Sequence, residues 1–209
     1  MSSGRSRMSF RRFSGLDRSG PPPPETQPGA PLRPWTIPNA IGYLRLALIP
    51  VFLVLAWESD GVSFWSAFTF GAIAVGDYID GIAARVTGQY SRLGSMLDPV
   101  VDRLFVIAGV VVCWEFDLLW QPLLVLIVVR ELLMLLVGPF LLRKGARIEV
   151  NWWGRWGVWP AMAGIFLALC GLWTVATVMV AVGVVLLYVA SVMYGVSARR
   201  PIAERKAST

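Results

Sequence analysis

Histidine does not occur in the 209 residues of the chain, and cysteine occurs only twice, at Cys113 and Cys170. The absence of histidine excludes Ser-His-Asp and Cys-His catalysis as well as histidine-ligated zinc. The two cysteines have no metal-binding or redox spacing, so we interpret both as packing residues. A metal ion bound by this chain would therefore be held mainly by oxygen atoms.

Charged residues are also scarce, at 15% of the chain, whereas 56% of the residues are hydrophobic. An average soluble domain is about a quarter charged and about 45–50% apolar. The apolar residues form long blocks rather than stripes, which indicates helices that span a membrane. The chain length leaves room for one compact bundle.

Six apolar segments approach the length of about 20 residues that a helix needs to cross the hydrocarbon core of a bilayer. They are residues 39–57, 62–85, 95–114, 118–142, 157–173 and 175–196. Only a short turn around Cys170–Trp173 separates the last two segments. Tryptophans lie at many of the ends, as an interfacial belt predicts. We therefore predict an all-α polytopic membrane protein with six transmembrane helices.

Lysine and arginine are missing from the predicted outer loops, which instead carry Glu58, Asp60, Glu115 and Asp117. The basic residues lie in the segments on the other side: Arg92, Arg143, Lys144, Arg147, Arg155, Arg199, Arg200, Arg205 and Lys206. Because an excess of lysine and arginine marks the cytoplasmic side, we predict that both termini are cytoplasmic.

The two ends of the chain differ in composition from the apolar part. Residues 1–34 are polar, rich in arginine, proline and serine, and have no secretory signal pattern, so we expect a disordered basic tail. This tail either rests on anionic lipid headgroups or is solvated and simply fixes the orientation. We expect residues 35–198 to form the membrane domain and residues 199–209 a basic C-terminal tail.

Four aspartates interrupt the apolar segments: Asp77, Asp80, Asp98 and Asp102. A central aspartate costs roughly 2.5–3.5 kcal/mol on insertion scales, so four would cost about 10 kcal/mol if unpaired. Asp77 and Asp80 share one helix face at i, i+3, and Asp98 and Asp102 share another at i, i+4. The short connection around Gly88–Ser91 makes the two helices antiparallel neighbours, so the two faces can meet.

Carboxylates that converge in this way need positive charge nearby. One interpretation is that each carboxylate pairs with an arginine and links two helices. The other is a pair of divalent cations held by hard oxygen ligands, which suit Mg²⁺ or Mn²⁺. Two such ions would suit in-line attack at phosphorus. The remaining charged residues of the apolar segments are Arg45, Arg85, Arg103, Arg130 and Glu131.

Small residues accompany the aspartates. Gly81, Ala84 and Gly94 leave backbone exposed to a bulky ligand, and Arg85 can offer its guanidinium to phosphate oxygens. Close packing of helices is a second interpretation of the glycines, and it is compatible with the first.

The spacing of these residues resembles a known signature. Asp77-x-x-Asp80-Gly81-x-x-Ala84-Arg85, followed after eight residues by Gly94-x-x-x-Asp98-x-x-x-Asp102, matches the signature of the CDP-alcohol phosphatidyltransferases at every fixed position. The predicted six-helix layout with a cytoplasmic N-terminus is also similar to that family. The resemblance covers roughly residues 35–200.

This resemblance implies an integral membrane enzyme that transfers the phosphatidyl group of CDP-diacylglycerol to an alcohol and releases CMP. It implies that the four aspartates hold two ions, Mg²⁺ or Mn²⁺, and that Asp102 is also the general base for the acceptor hydroxyl. It assigns Gly81, Ala84, Arg85 and Gly94 to the cytidine diphosphate pocket, facing the cytoplasm. The family further implies a homodimer in the bilayer, and we expect no nucleic-acid partner.

Residues outside the signature add a resemblance in the first helix and a candidate contact for the acceptor. Thr36–Asn39, with Arg45 and Pro50, resembles the first helix of phosphatidylglycerophosphate synthases and of the related cardiolipin synthases. We expect Asn39 to reach the nucleotide region. Arg130, beside a glutamate, is a candidate contact for the phosphate of the acceptor.

Two positions depart from the phosphatidylglycerophosphate synthase pattern. Those enzymes commonly carry Gly-Lys-x-Lys-Thr at the start of the fifth helix, whereas this chain has Gly154–Val158 with Arg155 as the one cation. Arg103 follows Asp102 where a lysine is common. The pair Asp102-Arg103 and the tryptophan-rich fifth helix are similar to the cardiolipin synthases, whose acceptor is phosphatidylglycerol, and the smaller number of cations argues against a highly charged acceptor. We keep glycerol-3-phosphate, the acceptor of the commoner enzyme, as the first hypothesis and phosphatidylglycerol as its competitor; Arg155 either contacts the acceptor phosphate or is a plain positive-inside arginine.

A cation-coupled transporter is the hypothesis from another functional class, with the aspartates as an ion pathway. Transporters often have internal repeats and paired broken helices. We find neither in this sequence, and the carboxylates lie in one adjacent pair of helices rather than along a path. The enzyme is therefore the favoured hypothesis.

Overall fold

The computed structural model describes residues 31–143 and 152–207, with side chains at 31–136 and 157–193. Within these ranges the secondary structure is entirely α-helical and comprises six helices. They are α1 (Ile37–Trp57), α2 (Phe64–Thr87), α3 (Arg92–Glu115), α4 (Gln121–Arg143), α5 (Trp152–Leu169) and α6 (Trp173–Ala207). The prediction of an all-α chain is therefore confirmed, with one helix for each predicted segment.

The ends of the helices agree with the expected breaks, apart from the last. The turn expected around Cys170–Trp173 lies at residues 170–172, where Gly171 has a positive φ of 78°. The expected basic C-terminal tail at 199–209 is helical as far as Ala207 and continuous with α6, because its alanines, arginines, glutamate and lysine are good helix formers. The expected N-terminal tail lies almost wholly outside the described residues.

Three helical stretches of the described chain are long and apolar enough to cross a membrane: Ile37–Trp57, Phe64–Thr87 and Trp173–Met193. Helix α3 has the length but carries Asp98, Asp102, Arg103 and Glu115, and these charges reduce its apolar character. The apolar part of α5, Gly157–Leu169, is shorter.

The chain divides into two compact units, and the first holds residues 31–52 and 69–105 of the described chain. Its apolar core is aromatic. The ring centroids of Phe70 and Phe105 lie 4.4 Å apart, and those of Phe52 and Phe70 lie 5.3 Å apart. Ile73 and Val101 are fully buried beside them. This core packs α1, α2 and α3 against one another and thereby fixes the direction in which their polar side chains point.

The second unit contains residues 53–68 and the chain from Val106 onward. Within it, α5 and α6 approach closely because small residues face each other, and a Cβ atom at Gly183 would lie 2.5 Å from the backbone nitrogen of Ala161. Trp57 and Phe116 form an edge-to-face pair with ring centroids 5.6 Å apart. Close approach of helices through small residues is typical of membrane bundles.

Candidate active site

Arg45 lies at the centre of the aspartate cluster. Its Nη1 contacts Asp77 Oδ1 at 3.0 Å and Asp80 Oδ2 at 2.9 Å, and its Nη2 contacts Asp102 Oδ1 at 2.7 Å. One guanidinium from α1 therefore joins two carboxylates from α2 and one from α3. The structure thus brings together three of the four aspartates that the sequence singles out.

The stem of Arg45 reaches the cluster by passing α2 at Gly76. A Cβ atom at position 76 would lie 2.9 Å from Arg45 Cγ and 3.1 Å from Arg45 Cδ, so only glycine leaves room for the stem. Arg45 Nε then donates to the backbone carbonyl of Ile73 at 3.2 Å. The side chain is 2% exposed. The sequence predicts Arg45 in the first helix but does not identify which residues it contacts, and it indicates no role for Gly76.

The carboxylates differ in exposure across the cluster. The side chain of Asp80 is 10% exposed, whereas those of Asp77 and Asp102 are 52% and 50% exposed. The fourth aspartate, Asp98, stands one helical turn before Asp102 on α3 and is exposed. In the described part of the chain, Arg45 forms ion pairs with the other three and not with Asp98. The cluster therefore has a buried side, occupied by Arg45, and an open side.

The expected metal ligands do not enclose a metal site as they stand. Among the described residues, no group of three or more acidic, cysteine or histidine side chains is arranged to hold an ion. Arg45 supplies one positive charge to three of the carboxylates, so the interpretation in which a carboxylate pairs with an arginine describes Asp77, Asp80 and Asp102 in the structure. The donor set still fits a hard divalent cation, because it consists of carboxylate oxygens and three of its four members, Asp77, Asp98 and Asp102, have solvent-accessible side chains.

Asn39, expected near the nucleotide, is 3% exposed and engaged in other contacts. Its side-chain nitrogen donates to the backbone carbonyls of Arg33 and Pro34 at 3.1 and 3.2 Å. Its Oδ1 accepts from the hydroxyl of Ser91 at 2.9 Å, and the oxygen of that hydroxyl accepts from the Gly94 backbone N–H at 2.9 Å. The Asn39 side chain therefore connects the start of α1 to the start of α3.

Gly94, expected to line the nucleotide pocket, packs closely against the side chains of Asn39 and Ser91. A Cβ atom there would lie 2.6 Å from Asn39 Oδ1 and 3.1 Å from Ser91 Oγ. Packing alone thus requires glycine at position 94. Ser91, whose hydroxyl joins the two residues, was not found from the sequence, because a serine after a glycine turn has no distinctive pattern.

Gly81 and Arg85 form a different kind of surface on α2. A Cβ atom at Gly81 would meet only the tip of the Arg85 side chain, at 3.8 Å from Nη2. Arg85 Nε is buried, and no hydrogen-bond partner for it exists among the described residues. Ala84, between them, is partly buried. An open glycine beside an unpaired guanidinium N–H is chemically suited to a phosphate oxygen.

The two acceptor candidates lie in the second unit. Arg130 forms an ion pair with Glu131, and its Nε is buried without a hydrogen-bond partner within the described part of the chain. Arg155 belongs to α5, but its side chain lies outside the described residues.

The apolar helices indicate an integral membrane protein, and the carboxylate cluster gives it a polar site formed by side chains of α1, α2 and α3. A profile of the CDP-alcohol phosphatidyltransferase family matches residues 35–193. The chain belongs to this family and is an enzyme that transfers phosphatidyl groups.

Curated relatives fall into two named groups. The chain is 31% identical over 165 residues to a CDP-diacylglycerol–glycerol-3-phosphate 3-phosphatidyltransferase of Haemophilus influenzae, covering 76% of this chain and 87% of the relative. It is 37% identical over 130 residues to a CMP-forming cardiolipin synthase of Streptomyces coelicolor, covering 57% of this chain and 58% of the relative. A putative cardiolipin synthase of Mycobacterium tuberculosis is 32% identical over 139 residues, 65% of each chain.

Proposed function

We propose that this chain transfers the phosphatidyl group of CDP-diacylglycerol to glycerol-3-phosphate and releases CMP. The observation that carries the choice of acceptor is the similarity to the Haemophilus influenzae glycerol-3-phosphate enzyme, which extends over 87% of that relative. The chemistry of the transfer rests on the aspartates of α2 and α3, of which Asp77, Asp98 and Asp102 are solvent-accessible.

In the proposed reaction, the acceptor hydroxyl oxygen attacks the phosphorus that carries the diacylglycerol. A P–O bond forms to the acceptor, and the P–O bond to the cytidylate breaks, so that CMP leaves with the electron pair. Asp102 accepts the hydroxyl proton as general base. Its side chain is half exposed, so the acceptor can reach it, and the contact from Arg45 Nη2 to Oδ1 fixes its orientation.

Asp77, Asp80, Asp98 and Asp102 are the residues that would hold the divalent ions, Mg²⁺ or Mn²⁺. When bound, two such ions would supply positive charge against the diphosphate and the leaving phosphate of CMP. The exposure of Asp77, Asp98 and Asp102 supports this assignment, because an ion entering from the open side reaches them without displacing packed side chains.

The nucleotide side of the substrate is assigned to Gly81, Ala84 and Arg85. The unpaired Arg85 Nε supports a contact with a phosphate oxygen, and the lack of a side chain at Gly81 allows the ligand to approach the helix backbone. For Gly94 and Asn39 we propose a supporting role, since their contacts are with each other and with Ser91.

The acceptor phosphate is assigned to Arg130 and Arg155. Arg130 has a buried Nε without a partner in the described chain, and Glu131 holds its Nη1. Phosphatidylglycerol is the second candidate acceptor, favoured by the similarity to the Streptomyces coelicolor cardiolipin synthase and by the single cation in Gly154–Val158.

We propose that all six helices cross the bilayer, with both termini and the aspartates on the cytoplasmic side. The absence of lysine and arginine from 58–61 and 115–120 supports this orientation. In this arrangement residues 1–34 are a basic tail, residues 35–198 the membrane domain and residues 199–209 a basic end, and the family resemblance favours a homodimer.

The acceptor is tested by incubating the purified chain with CDP-diacylglycerol and Mg²⁺, with either glycerol-3-phosphate or phosphatidylglycerol, and identifying the lipid product by mass spectrometry. We expect phosphatidylglycerophosphate with the first acceptor and little cardiolipin with the second. Cardiolipin as the main product would overturn the choice of glycerol-3-phosphate but not the phosphatidyl transfer. No CMP with either acceptor would overturn both.

A further inference from the structure

In the proposed reaction Arg45 orients Asp102, but its buried positive charge also contacts Asp77 and Asp80. A buried charge is stable only when it is paired, and its removal leaves its partners unpaired. The partners here are three carboxylates, one of which, Asp80, is almost as buried as Arg45. Without Arg45, and with no metal ion bound, these carboxylates would repel one another.

The path of Arg45 shows that it is held in place from the inner side of the cluster. Gly76 opens a slot for its stem, and the Ile73 carbonyl accepts from its Nε. The open side of the cluster is left to Asp77 and Asp102, which are half exposed, while the guanidinium is 2% exposed. An ion from solvent can therefore reach the carboxylates of Asp77 and Asp102 while the buried guanidinium stays in contact with them.

We propose that Arg45 is a positioning residue, a built-in cation that holds Asp77, Asp80 and Asp102 together before a divalent ion arrives and shares those carboxylates with the ion afterwards. This inference rests on the proposed function, because it takes the aspartates as the ion ligands. Arg45 and the ion both supply positive charge to the same carboxylates. Replacement of Arg45 should therefore increase the affinity for the ion, and binding of the ion should reduce the stability that is lost when Arg45 is replaced.

The test measures thermal unfolding of the full chain, purified in detergent, in EDTA and during a titration with MnCl₂. Arg45→Gln removes the charge, and we expect its melting temperature in EDTA to fall by about 5 °C or more below that of the unchanged protein. Saturating Mn²⁺ should remove at least half of this difference, since ligand binding to the folded state stabilises it. By the same linkage, the apparent Kd for Mn²⁺ should be about tenfold lower in the variant, because a nearby positive charge is gone.

Three further variants separate this role from ordinary packing. Phe52→Leu removes buried apolar surface in the same unit, and its loss of stability should be equal with and without Mn²⁺. Arg45→Lys keeps the charge and should restore most of the stability in EDTA. Gly76→Ala closes the slot and should reproduce the metal dependence of Arg45→Gln. Arg45→Lys and Gly76→Ala keep the test available if Arg45→Gln does not fold.

The proposal would be overturned if Arg45→Gln and Gly76→Ala lost the same stability in EDTA and in Mn²⁺. It would also be overturned if their affinity for Mn²⁺ were the same as that of the original protein. If that happens while the original protein still releases CMP from CDP-diacylglycerol, the proposed function stands and only the role of Arg45 fails. If the original protein neither binds Mn²⁺ nor releases CMP, both fail.

Discussion

Replacement by alanine should affect different properties of the protein at two glycines of the same signature. The resemblance assigns Gly81 and Gly94 alike to the nucleotide pocket, but the structure surrounds them differently. A methyl group at Gly94 would collide with Asn39 Oδ1 at 2.6 Å, whereas one at Gly81 would meet only the flexible end of Arg85 at 3.8 Å. We therefore expect Gly94→Ala to lower stability and Gly81→Ala to lower binding of CDP-diacylglycerol.

The size of the Gly94 effect follows from the hydrogen bonds that the methyl group would break. These are the Ser91 hydroxyl to Asn39 Oδ1 and the Gly94 N–H to Ser91 Oγ, both 2.9 Å long. A hydrogen bond contributes about 0.5–1.5 kcal/mol, and leaving a buried partner unpaired costs about 1–3 kcal/mol, so we expect a loss of about 2–4 kcal/mol. For a chain of this size that is roughly 5–15 °C in melting temperature. The gain in helix propensity from glycine to alanine is about 1 kcal/mol in a helix interior, as at Gly81, and it is smaller than the loss expected at Gly94, the third residue of α3.

The assay is thermal unfolding of the two purified variants side by side, followed by tryptophan fluorescence in the absence of ligand. Ser91→Ala is the matched control, because it removes the shared hydroxyl without adding a methyl group at position 94, and it should lose part of the same stability. Equal melting temperatures for Gly94→Ala and Gly81→Ala would refute the packing argument for Gly94.

Three further changes have expected outcomes. Asp102→Asn should keep CDP-diacylglycerol binding but lose about 10²–10⁴-fold in turnover, as expected for a general base; an unchanged kcat in a CMP-release assay would remove Asp102 from that role. Arg85→Gln should raise KM for CDP-diacylglycerol by about 10- to 100-fold, since a charge-assisted hydrogen bond contributes about 1.5–3 kcal/mol; steady-state kinetics that show an unchanged KM would contradict the phosphate contact. Gly183→Val should destabilise the chain, because even a Cβ there would lie 2.5 Å from Ala161 N; a melting temperature equal to that of the original protein would show that α5 and α6 separate without cost.

The helices could be predicted from the sequence because they coincide with long apolar segments separated by short polar or glycine-containing breaks. The six predicted segments each correspond to a helix, and the turn before Trp173 lies where it was expected. The last helix extends beyond the predicted apolar segment 175–196 as far as Ala207, because the charged residues that follow this segment are also good helix formers.

The carboxylates of the site could be predicted from the sequence. Pairing with an arginine was one interpretation, but the sequence did not identify Arg45 as that arginine. The i, i+3 and i, i+4 spacings of the aspartates are local and visible in the sequence. The contact between Arg45 and these aspartates is not local, since 57 residues separate Arg45 from Asp102. It also depends on the slot at Gly76, which exists only once α1 and α2 pack together. The contact of Asn39 could not be predicted for the same reason: its partner Ser91 is 52 residues away and follows an unremarkable turn.

The central claim is that the exposed carboxylates on α2 and α3 carry out phosphatidyl transfer. Release of CMP from CDP-diacylglycerol in the presence of Mg²⁺ and glycerol-3-phosphate tests it most directly when the original protein, Asp98→Asn and Asp117→Asn are compared. Asp98 is an exposed aspartate one helical turn before Asp102 on α3, whereas Asp117 is an exposed aspartate in the turn between α3 and α4. We predict metal-dependent CMP release by the original protein and by Asp117→Asn, and a loss of at least about 10²-fold for Asp98→Asn. Full activity of Asp98→Asn, with CMP release that does not depend on the metal, would contradict the claim.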